Sequence, residues 1–386
     1  MTFRIDKLGV VIAALLAYGA FLAPFANFRA NRIVPGEARG ILEALPAGLG
    51  ATLLGFSVIA IVVVVLKTPT VFRLLLGLVA LLALAILVGL SAGHLTPPEN
   101  TYARVSPASG FWLLSFAFAL LTADALARLR LSPLARVALL AAVAAAAAGL
   151  LVSGAWDGLS ILKEYGSRAD SFWLEAGRHV VLALGSLVAA TLVGLPLGIL
   201  CHRVEALRAG VLNVLNIIQT IPSIALFGLL IAPLGWIAVH VPGAAALGIR
   251  GIGAAPAFIA LFLYSLLPVV ANTVVGLAGV PRDANDAARG IGMTDGQRLF
   301  RVELPLAFPV ILTGIRIVLV QNIGLATIAA LIGGGGFGVF VFQGIGQTAM
   351  DLVLLGAVPT VALAFAAAIV LDAATELSNR KPGRAA

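Results

Sequence analysis

Long apolar segments alternate with short polar ones along most of the chain. Many apolar segments reach about 20 residues, the length at which an α-helix crosses a bilayer. We therefore predict an all-α integral membrane protein with about ten transmembrane helices. Their predicted bounds are residues 8–26, 47–66, 74–93, 110–127, 134–155, 179–200, 209–235, 255–278, 306–331 and 352–371.

The amino-acid composition agrees with this fold class and narrows the function. The chain is 61% hydrophobic and 11% charged, whereas soluble domains carry about 25% charged residues. The net charge of +8 is dispersed along the chain, so it does not indicate a nucleic-acid partner. A single cysteine and four scattered histidines offer no metal-ligand spacing. The sequence therefore predicts no cofactor and no metal site.

The distribution of lysine and arginine predicts the orientation in the membrane. With the N-terminus inside, the inner loops hold 16 of the 25 basic residues, the outer loops hold 8, and Arg316 lies within a span. This bias follows the positive-inside rule and places both termini in the cytoplasm. The loop 27–46 weakens the bias, because it puts three arginines on the outer side.

The polarity of the spans changes near residue 156, which divides the chain into parts. Residues 1–156 are predicted to be an N-terminal transmembrane extension of about five simple apolar helices. The alanine-rich run 141–148 within them is predicted to form a close-packed helix interface. Residues 157–178 are predicted to be an amphipathic linker on the periplasmic side, with the aromatic pair Phe172 and Trp173 at the headgroup level.

The second half is the predicted working part. Its spans in residues 179–375 contain polar residues, prolines and glycines, which membrane helices tolerate only where protein or water surrounds them. Residues 376–386 are predicted to form a cytoplasmic tail. Between two of these spans lies a long polar loop, residues 282–305, which carries four arginines and is expected to act outside the lipid.

The loop 282–305 has the internal order of two short helices around a corner. Residues 283–289 suit a helix, and Gly290 and Gly292 accept the positive φ of a sharp turn. Thr294 and Gln297 have the spacing of a capping box that restarts a helix. Residues 304–305, a Leu-Pro pair, are expected to end this helix and begin the next span.

This loop resembles the "EAA" cytoplasmic loop of ABC importer permeases. The residues that match at the family spacing are Ala287, Ala288, Gly292, Leu304 and Pro305, with Asp286 in place of Glu and Val302 in place of Ile. The resemblance implies a coupling helix that docks on a separate ABC ATPase subunit. It also implies that the last five helices form a type I ABC importer permease core.

Further motifs resemble the osmoprotectant importer permeases for glycine betaine, choline and carnitine. They lie at 219–226, 264–268, 324–327 and 332–338, within a resemblance that covers residues 172–372. The N-terminal extension is most similar to Yeh-type permeases. The resemblance implies import of quaternary-ammonium osmoprotectants across a bacterial inner membrane. The implied partners are ABC ATPase subunits, a second permease subunit, identical or related, and a periplasmic substrate-binding protein.

Uncharged polar side chains within the C-terminal spans are candidates for lining a translocation path. Pro222 is expected to break the span 209–235 and to free a backbone carbonyl. The alternative is that these side chains form hydrogen bonds between helices, which is common in membrane bundles. The candidate residues are Gln219, Thr220, Ser223, Asn272, Gln321 and Asn322.

Arg316 is the one basic residue predicted within a span. It lies eleven residues after Pro305, or about 16 Å along a helix, near the middle of the membrane. A charge there costs about 2.5 kcal/mol or more. We expect it to lack an acidic partner, since residues 179–371 contain no mid-span Asp or Glu. The sequence leaves two roles open for Arg316: a structural role or a place near an inner gate.

The absence of charged relays also bears on the alternatives. Proton-driven transporters use intramembrane acids or histidines, and none is visible in the C-terminal spans. A secondary transporter that works without an ATPase is therefore the alternative function and not the main prediction. The sequence contains no nucleophile–base constellation, so we predict no catalytic residues. It also lacks the GxxxxGK[ST] phosphate loop, so ATP hydrolysis belongs to a partner. The GxGxxG run at 333–338 is predicted to be a glycine-rich outer turn, because no strand precedes it.

Overall fold

A computed structural model describes residues 6–32 and 34–379, which form two compact units, Met1–Ser167 and Arg168–Ala386. Nine helices within the described residues are long and apolar enough to cross a membrane. The remaining predicted span, residues 8–26, corresponds to a shorter apolar helix of 15 residues, Lys7–Phe21. The predicted tail 376–386 begins within the last helix, and its residues 380–386 lie outside the described part, as does Arg4.

The N-terminal unit is a helical bundle with a small sheet at one end. Its core is apolar and lies between the long helices, with Leu16, Leu84 and Phe118 fully buried. The elements in chain order are α1 Lys7–Phe21, β1 Ala26–Arg29, β2 Glu37–Arg39, α2 Ile41–Ala44, α3 Ala47–Val65, α4 Thr70–Leu95, β3 Arg104–Pro107, α5 Ser109–Leu129, α6 Pro133–Val152 and α7 Ser160–Gly166.

The sheet was not predicted, and it accounts for arginines in the loop 27–46. Its antiparallel order is β2-β1-β3, with β1 paired to strands on either side. Arg39 pairs with Glu37 and Glu43, and Arg32 lies 3.5 Å from Glu164. These arginines therefore have carboxylate partners in the folded loops.

A buried ion cluster ties the N-terminal ends of α1 and α4 to the C-terminal end of α5. The Nη1 of Arg73 lies 2.8 Å from the Oδ2 of Asp6 and 3.6 Å from the Oδ2 of Asp124. Arg128 pairs with the same two acids at 3.2 and 2.9 Å. Arg73 is 2% exposed, and its remaining donors reach backbone carbonyls and a threonine hydroxyl between α3 and α4. Its charge is therefore both paired and hydrogen-bonded, as burial requires.

The alanine-rich helix α6 does not form the interface that its sequence predicted. None of its apolar window is buried inside the protein, and Pro133 is its one buried residue. The prediction of a close-packed interface for residues 141–148 is therefore wrong within this chain. Small side chains permit close packing but do not enforce it, because lipid covers an alanine surface equally well.

The C-terminal unit contains five long helices and several short ones. Its core lies between α8, α11 and α14, which include the fully buried Leu261 and Val318. The elements are α8 Ala169–Arg203, α9 Glu205–Thr220, α10 Ser223–His240, α11 Ala254–Ala278, α12 Arg282–Gly290, α13 Asp295–Arg298, a π-helical turn Leu299–Glu303, α14 Leu304–Ile328, a 3-10 turn Ala329–Ile332, α15 Gly338–Gly346 and α16 Met350–Asn379.

Two predicted segments of this half differ from the structure. Residues 157–178 divide between two helices, because α7 covers Ser160–Gly166 and α8 begins at Ala169 and continues without a break to Arg203. Phe172 packs within the unit, with ring centroids 5.4 Å from Phe337 and 6.1 Å from Phe340. The span 209–235 is two helices, of which α10 is long enough to cross the membrane.

Candidate functional site

The predicted coupling loop folds into two short helices with a sharp corner between them. Gly292 forms the corner at φ +82, whereas Gly290 is the helical last residue of α12. Thr294 and Gln297 form the predicted capping box. The Gln297 amide donates to Thr294 Oγ1 at 3.3 Å, and the Thr294 amide donates to Gln297 Oε1 at 3.0 Å. Local sequence signals therefore fix the shape of this loop.

The sequence predicted that the second short helix ends at residues 304–305, but the helix continues. Helix α13 passes through the π-helical turn Leu299–Glu303 directly into α14. Pro305 lies in the first turn of α14, where its missing N–H breaks no bond of that helix. The end of the loop and the transmembrane helix are therefore continuous.

The motif residues divide between the surface and the interior. Asp286 and Ala287 are exposed and Ala288 is buried at 3% exposure. Two large apolar side chains accompany the exposed motif residues, since Ile291 is 75% and Phe300 is 70% exposed. We call Asp286, Ala287, Ile291 and Phe300 the coupling surface. Leu304 is half-buried and Pro305 is exposed where α14 begins.

A buried carboxylate anchors this segment to α8. Glu303 is 3% exposed and accepts from the Nε of Arg298 at 3.0 Å. Arg203, at the end of α8, pairs with the other carboxylate oxygen of Glu303. Arg298 also reaches the exposed Asp295 at 2.9 Å. Sequence reasoning missed these roles because it counted the arginines only as loop charges. The local signal was Glu303, which lies five residues after Arg298 and two residues after Arg301.

The predicted break at Pro222 is present, and its polar groups are engaged with α11. Gln219 Nε2 donates to the carbonyl oxygen of Tyr264 at 2.7 Å. That carbonyl lies four residues before Pro268, which has no N–H to donate to it. In return, the Tyr264 hydroxyl donates to the carbonyl of Ile221 at 2.5 Å. We call these reciprocal bonds the Gln219–Tyr264 latch.

The carbonyl that Pro222 leaves free also has a partner. The amide of Ile221 donates to the carbonyl of Ile218 at 3.2 Å. Thr220 donates to Ile217 within its own helix at 2.7 Å, and Ser223 is half-buried at the start of α10. The carbonyl that the sequence predicted to be free is therefore hydrogen-bonded at the end of its own helix.

The remaining path candidates differ in their surroundings. Asn322 is fully buried, and its Nδ2 donates to Ser186 and Ser265 at 2.9 Å each, which joins α14 to α8 and α11. This is the hydrogen-bonding arrangement between helices that the sequence left open. Asn272 bonds to Pro268 of its own helix at 2.8 Å, and Gln321 is half-buried.

Arg316 has an acidic partner, contrary to expectation. Its Nη1 pairs with Asp372 on α16. The prediction was wrong because α16 continues to Asn379, beyond the predicted end of the span at residue 371. Asp372 therefore lies within α16, one residue past the predicted end of the span. The pair compensates the charge of Arg316 and ties α14 to α16.

The glycine-rich run is a turn, as predicted, but a short helix follows it. Gly333, Gly335 and Gly336 have positive φ, and α15 lies between the turn and α16. Glu175 accepts from the Gly336 amide at 2.6 Å, and His179 Nδ1 accepts from the Phe337 amide at 3.3 Å. Sequence reasoning missed both side chains, which fix the turn to α8.

Comparisons with known proteins identify both halves of the chain. Residues 194–384 match the family described as "Binding-protein-dependent transport system inner membrane component". Osmoprotectant import permease protein OsmW of Salmonella typhimurium is 46% identical over 193 residues, which cover 50% of this chain and 81% of that protein. The chain belongs to the osmoprotectant group of ABC importer permeases. The predicted fold class and the resemblance to this group are thereby confirmed.

Further matches cover the rest of the permease. Residues 6–162 match the family described as "ABC transporter permease YehY, N-terminal domain", which confirms the resemblance to Yeh-type permeases. The choline transport system permease protein OpuBB of Bacillus subtilis is 37% identical over 53% of this chain and 84% of that protein. An inward-facing structure of the MetNI methionine ABC transporter matches 55% of this chain and 96% of that chain, at 22% identity and a TM-score of 0.47.

Proposed function

We propose that this permease is the transmembrane subunit of an ATP-driven importer for quaternary-ammonium osmoprotectants such as glycine betaine or choline. The relatives that it resembles are named as choline, glycine betaine, carnitine and osmoprotectant permeases. The observation that carries the proposal is the coupling surface, in which exposed apolar side chains stand on a polar segment. Exposed apolar groups rimmed by polar ones are typical of protein docking sites.

The coupling surface is proposed to dock on a separate ATPase subunit, which hydrolyses the ATP. In this role Asp286 and Ala287 contact the ATPase, and Ala288 packs the helix against the permease. Gly292 sets the corner, and Leu304 and Pro305 lead into α14. The buried Glu303 supports this proposal, because a firmly anchored segment passes a displacement on to the spans instead of absorbing it.

The full importer is proposed to contain two permease subunits, identical or related, two ATPase subunits and a periplasmic substrate-binding protein. It would lie in a bacterial inner membrane with both termini of the permease in the cytoplasm, as the lysine and arginine bias favours. Substrate identity would be read mainly by the binding protein, since cages of aromatic rings suit quaternary-ammonium groups.

The translocation path is proposed to run through the C-terminal unit. Thr220, Ser223 and Gln321 have partly or fully exposed side chains there, and Asn272 is half-buried. Gln219 would act through the latch at the helix break, and Asn322 through its contacts between helices. The N-terminal spans are proposed to have a structural role and not to line the path, since their buried residues are apolar apart from a few paired or hydrogen-bonded groups.

Co-purification and transport assays test the coupling surface. The full permease is co-expressed with its genomically adjacent ATPase and reconstituted in proteoliposomes. We expect Phe300→Asp and Asp286→Ala to lose ATPase binding and uptake, and Asp286→Glu to retain both. Glu205→Ala is the matched control, because Glu205 is exposed at the start of α9 but lies outside the coupling surface. Normal ATPase binding by Phe300→Asp would contradict the proposed docking.

A second assay separates this function from secondary transport. Proteoliposomes with the permease alone receive a proton or sodium gradient, and those with the complete importer receive ATP and binding protein. We expect uptake only in the second case. Gradient-driven uptake by the permease alone would instead support the secondary transporter.

A further inference from the structure

Two arginines face each other across the sheet of the N-terminal unit. In the antiparallel register, Arg29 on β1 is the direct partner of Arg104 on β3. Directly opposed residues of an antiparallel pair share one face of the sheet, and like charges placed there repel each other. The fold therefore places a repulsive pair where sheets usually carry opposite charges.

More positive charge surrounds this pair than negative charge. Arg32 and Arg104 share one carboxylate, with Oε1 of Glu164 at 3.5 and 3.7 Å. Lys163 donates to the carbonyl of Ala103, the residue before Arg104, at 2.8 Å. Burial and the charge of Arg104 lower the pKa of Lys163, as expected where cations crowd together. We call these five residues, Arg29, Arg32, Arg104, Lys163 and Glu164, the basic cluster.

The basic cluster also has unused hydrogen-bond donors. The Nε of Arg29 and the Nη1 of Arg104 are both buried without a hydrogen-bond partner among the described residues. Within that same part of the chain, no carboxylate lies within ion-pair distance of Arg29. A buried donor left unsatisfied costs about 1–3 kcal/mol, and more when it is charged. An acceptor that brings negative charge would offset both the repulsion and the unsatisfied donors.

Arg39 and Arg73 show that this fold normally pairs its arginines. Arg39 lies in the same sheet and contacts two glutamates. Arg73, at the other end of the unit, has its charge and its hydrogen bonds satisfied by the protein. Arg29 and Arg104 differ from both, because each leaves a buried donor without an acceptor among the described residues.

The position of the sheet indicates where the missing acceptor comes from. Strands β1 and β3 adjoin the ends of α1 and α5, so the cluster lies just beyond the apolar helices. Exposed aromatic residues flank these strands in the chain: Phe21 at 51%, Tyr102 at 77% and Trp112 at 41% exposure. Aromatic side chains of this kind concentrate at the depth of the lipid headgroups.

We propose that the basic cluster binds the phosphate group of an anionic phospholipid headgroup, with Arg29 and Arg104 as its main ligands. Guanidinium groups match the geometry of phosphate oxygens and bind them bidentately. Free phosphate offers the same oxygens, so the experiment must separate the two sources. Bound lipid would hold β1 and β3 together at the membrane surface and remove the repulsion between their arginines.

Thermal unfolding of the purified full-length permease in detergent micelles tests the site. The additives are phosphatidylglycerol, phosphatidylcholine and inorganic phosphate, with sodium chloride at matched ionic strength. We expect phosphatidylglycerol to raise the Tm by about 2–4 °C more than phosphatidylcholine. The variant Arg29→Gln/Arg104→Gln should lose this difference, and Arg39→Gln should keep it. In lipid-free micelles the double variant should melt no lower than the wild type, because a repulsive pair has been removed.

The outcomes separate the possible sources and the contrary cases. One outcome is that phosphate stabilises the wild type more than chloride does and has no such effect on the double variant. That outcome would assign the oxyanion site to free phosphate as well as to lipid. An equal phosphatidylglycerol effect in the double variant would overturn the proposal. So would an equal loss of Tm in lipid-free and lipid-containing micelles, which would show a purely structural role. Native mass spectrometry should show one retained phosphatidylglycerol in the wild type and in Arg39→Gln, but none in the double variant.

Discussion

The two units of the permease differ in the proline content of their long helices. The long helices of the N-terminal unit contain no interior proline among the residues described, and their ionic groups gather at the helix ends. All five long helices of the C-terminal unit contain an interior proline. These prolines are Pro196, Pro233, Pro268, Pro309 and Pro359. Each removes a backbone hydrogen bond and permits a bend.

The difference shows how one chain combines a stiff part with a deformable one. Unbroken helices with matched charges at their ends resist bending. In the C-terminal unit, by contrast, side chains restore bonding that the prolines interrupt, as Gln219 does for the carbonyl before Pro268. Hydrogen bonds of this kind can exchange partners during a conformational change without leaving backbone groups unsatisfied in lipid.

The largest stability effect is expected for Arg73→Ala in the N-terminal unit. Removal of Arg73 leaves Asp6 and Asp124 without their buried cation, and breaking such a pair costs about 3–5 kcal/mol. Thermal unfolding in detergent measures the loss. Arg39→Ala is the control, because Arg39 is 39% exposed in its side chain and its ion pairs lie at the surface. Equal effects of both substitutions would contradict the view that this cluster stiffens the unit.

The same cluster makes the N-terminal unit sensitive to acid. Burial opposes the charged form of Asp6, but the Gly9 amide, Arg73 and Arg128 outweigh it and hold the pKa of Asp6 below its ordinary value of 3.8. A depressed pKa contributes stability above that ordinary value, and the contribution is lost as the pH falls through the folded-state pKa. We expect Asp6→Asn to be less stable than the wild type at neutral pH. The difference should shrink when unfolding is measured below pH 3.8.

The next largest effect is expected at the link between the coupling segment and α8. Glu303→Gln leaves Arg203 and Arg298 facing each other without their shared carboxylate. We expect ATP hydrolysis to continue in the reconstituted importer while most of the uptake is lost. Asp295→Asn is the control, since the Asp295 side chain is 88% exposed and contributes little. Equal loss of hydrolysis and uptake would mean that Glu303 supports ATPase docking only.

A smaller effect is expected at the Gln219–Tyr264 latch. Gln219→Ala leaves the carbonyl of Tyr264 without its donor, at a cost of about 1–3 kcal/mol. Pro268→Ala supplies an amide that donates to the same carbonyl within α11. The double variant Gln219→Ala/Pro268→Ala should therefore recover most of the thermal stability without recovering full uptake. If Pro268→Ala brings no recovery, the lost bond is not the cause of the instability.

The smallest stability effect is expected at the corner of the coupling segment. Gly292 has positive φ, and a side chain there meets no atom within 4 Å, so Gly292→Ala costs only about 1–2 kcal/mol of backbone strain. It should nevertheless weaken co-purification with the ATPase. Gly290→Ala is the matched control, because Gly290 is helical and also has free space. Equal ATPase binding by the two variants would argue against a role for the corner.

Features set by neighbouring residues were accessible from the sequence, whereas distant pairings were not. The capping box at Thr294 and the turn at Gly292 depend on a few adjacent residues. The sheet was missed because its strands have three or four residues each, and Arg29 meets Arg104, which lies 75 positions further along the chain. For the same reason no local pattern revealed the pairing of Arg316 with Asp372.

The uninterrupted helical path from Asp295 to Ile328 has a mechanical consequence. Its 34 residues span about 50 Å at 1.5 Å per residue. A tilt of this segment by about 5° about Glu303 would move its far end, 25 residues or about 38 Å away, by about 3 Å. The π-helical turn at its base holds the anchoring Glu303, so this point acts as the fulcrum of a lever. Its far end adjoins the glycine-rich turn held by Glu175, so a small tilt of the coupling segment would displace that turn by about the length of a hydrogen bond.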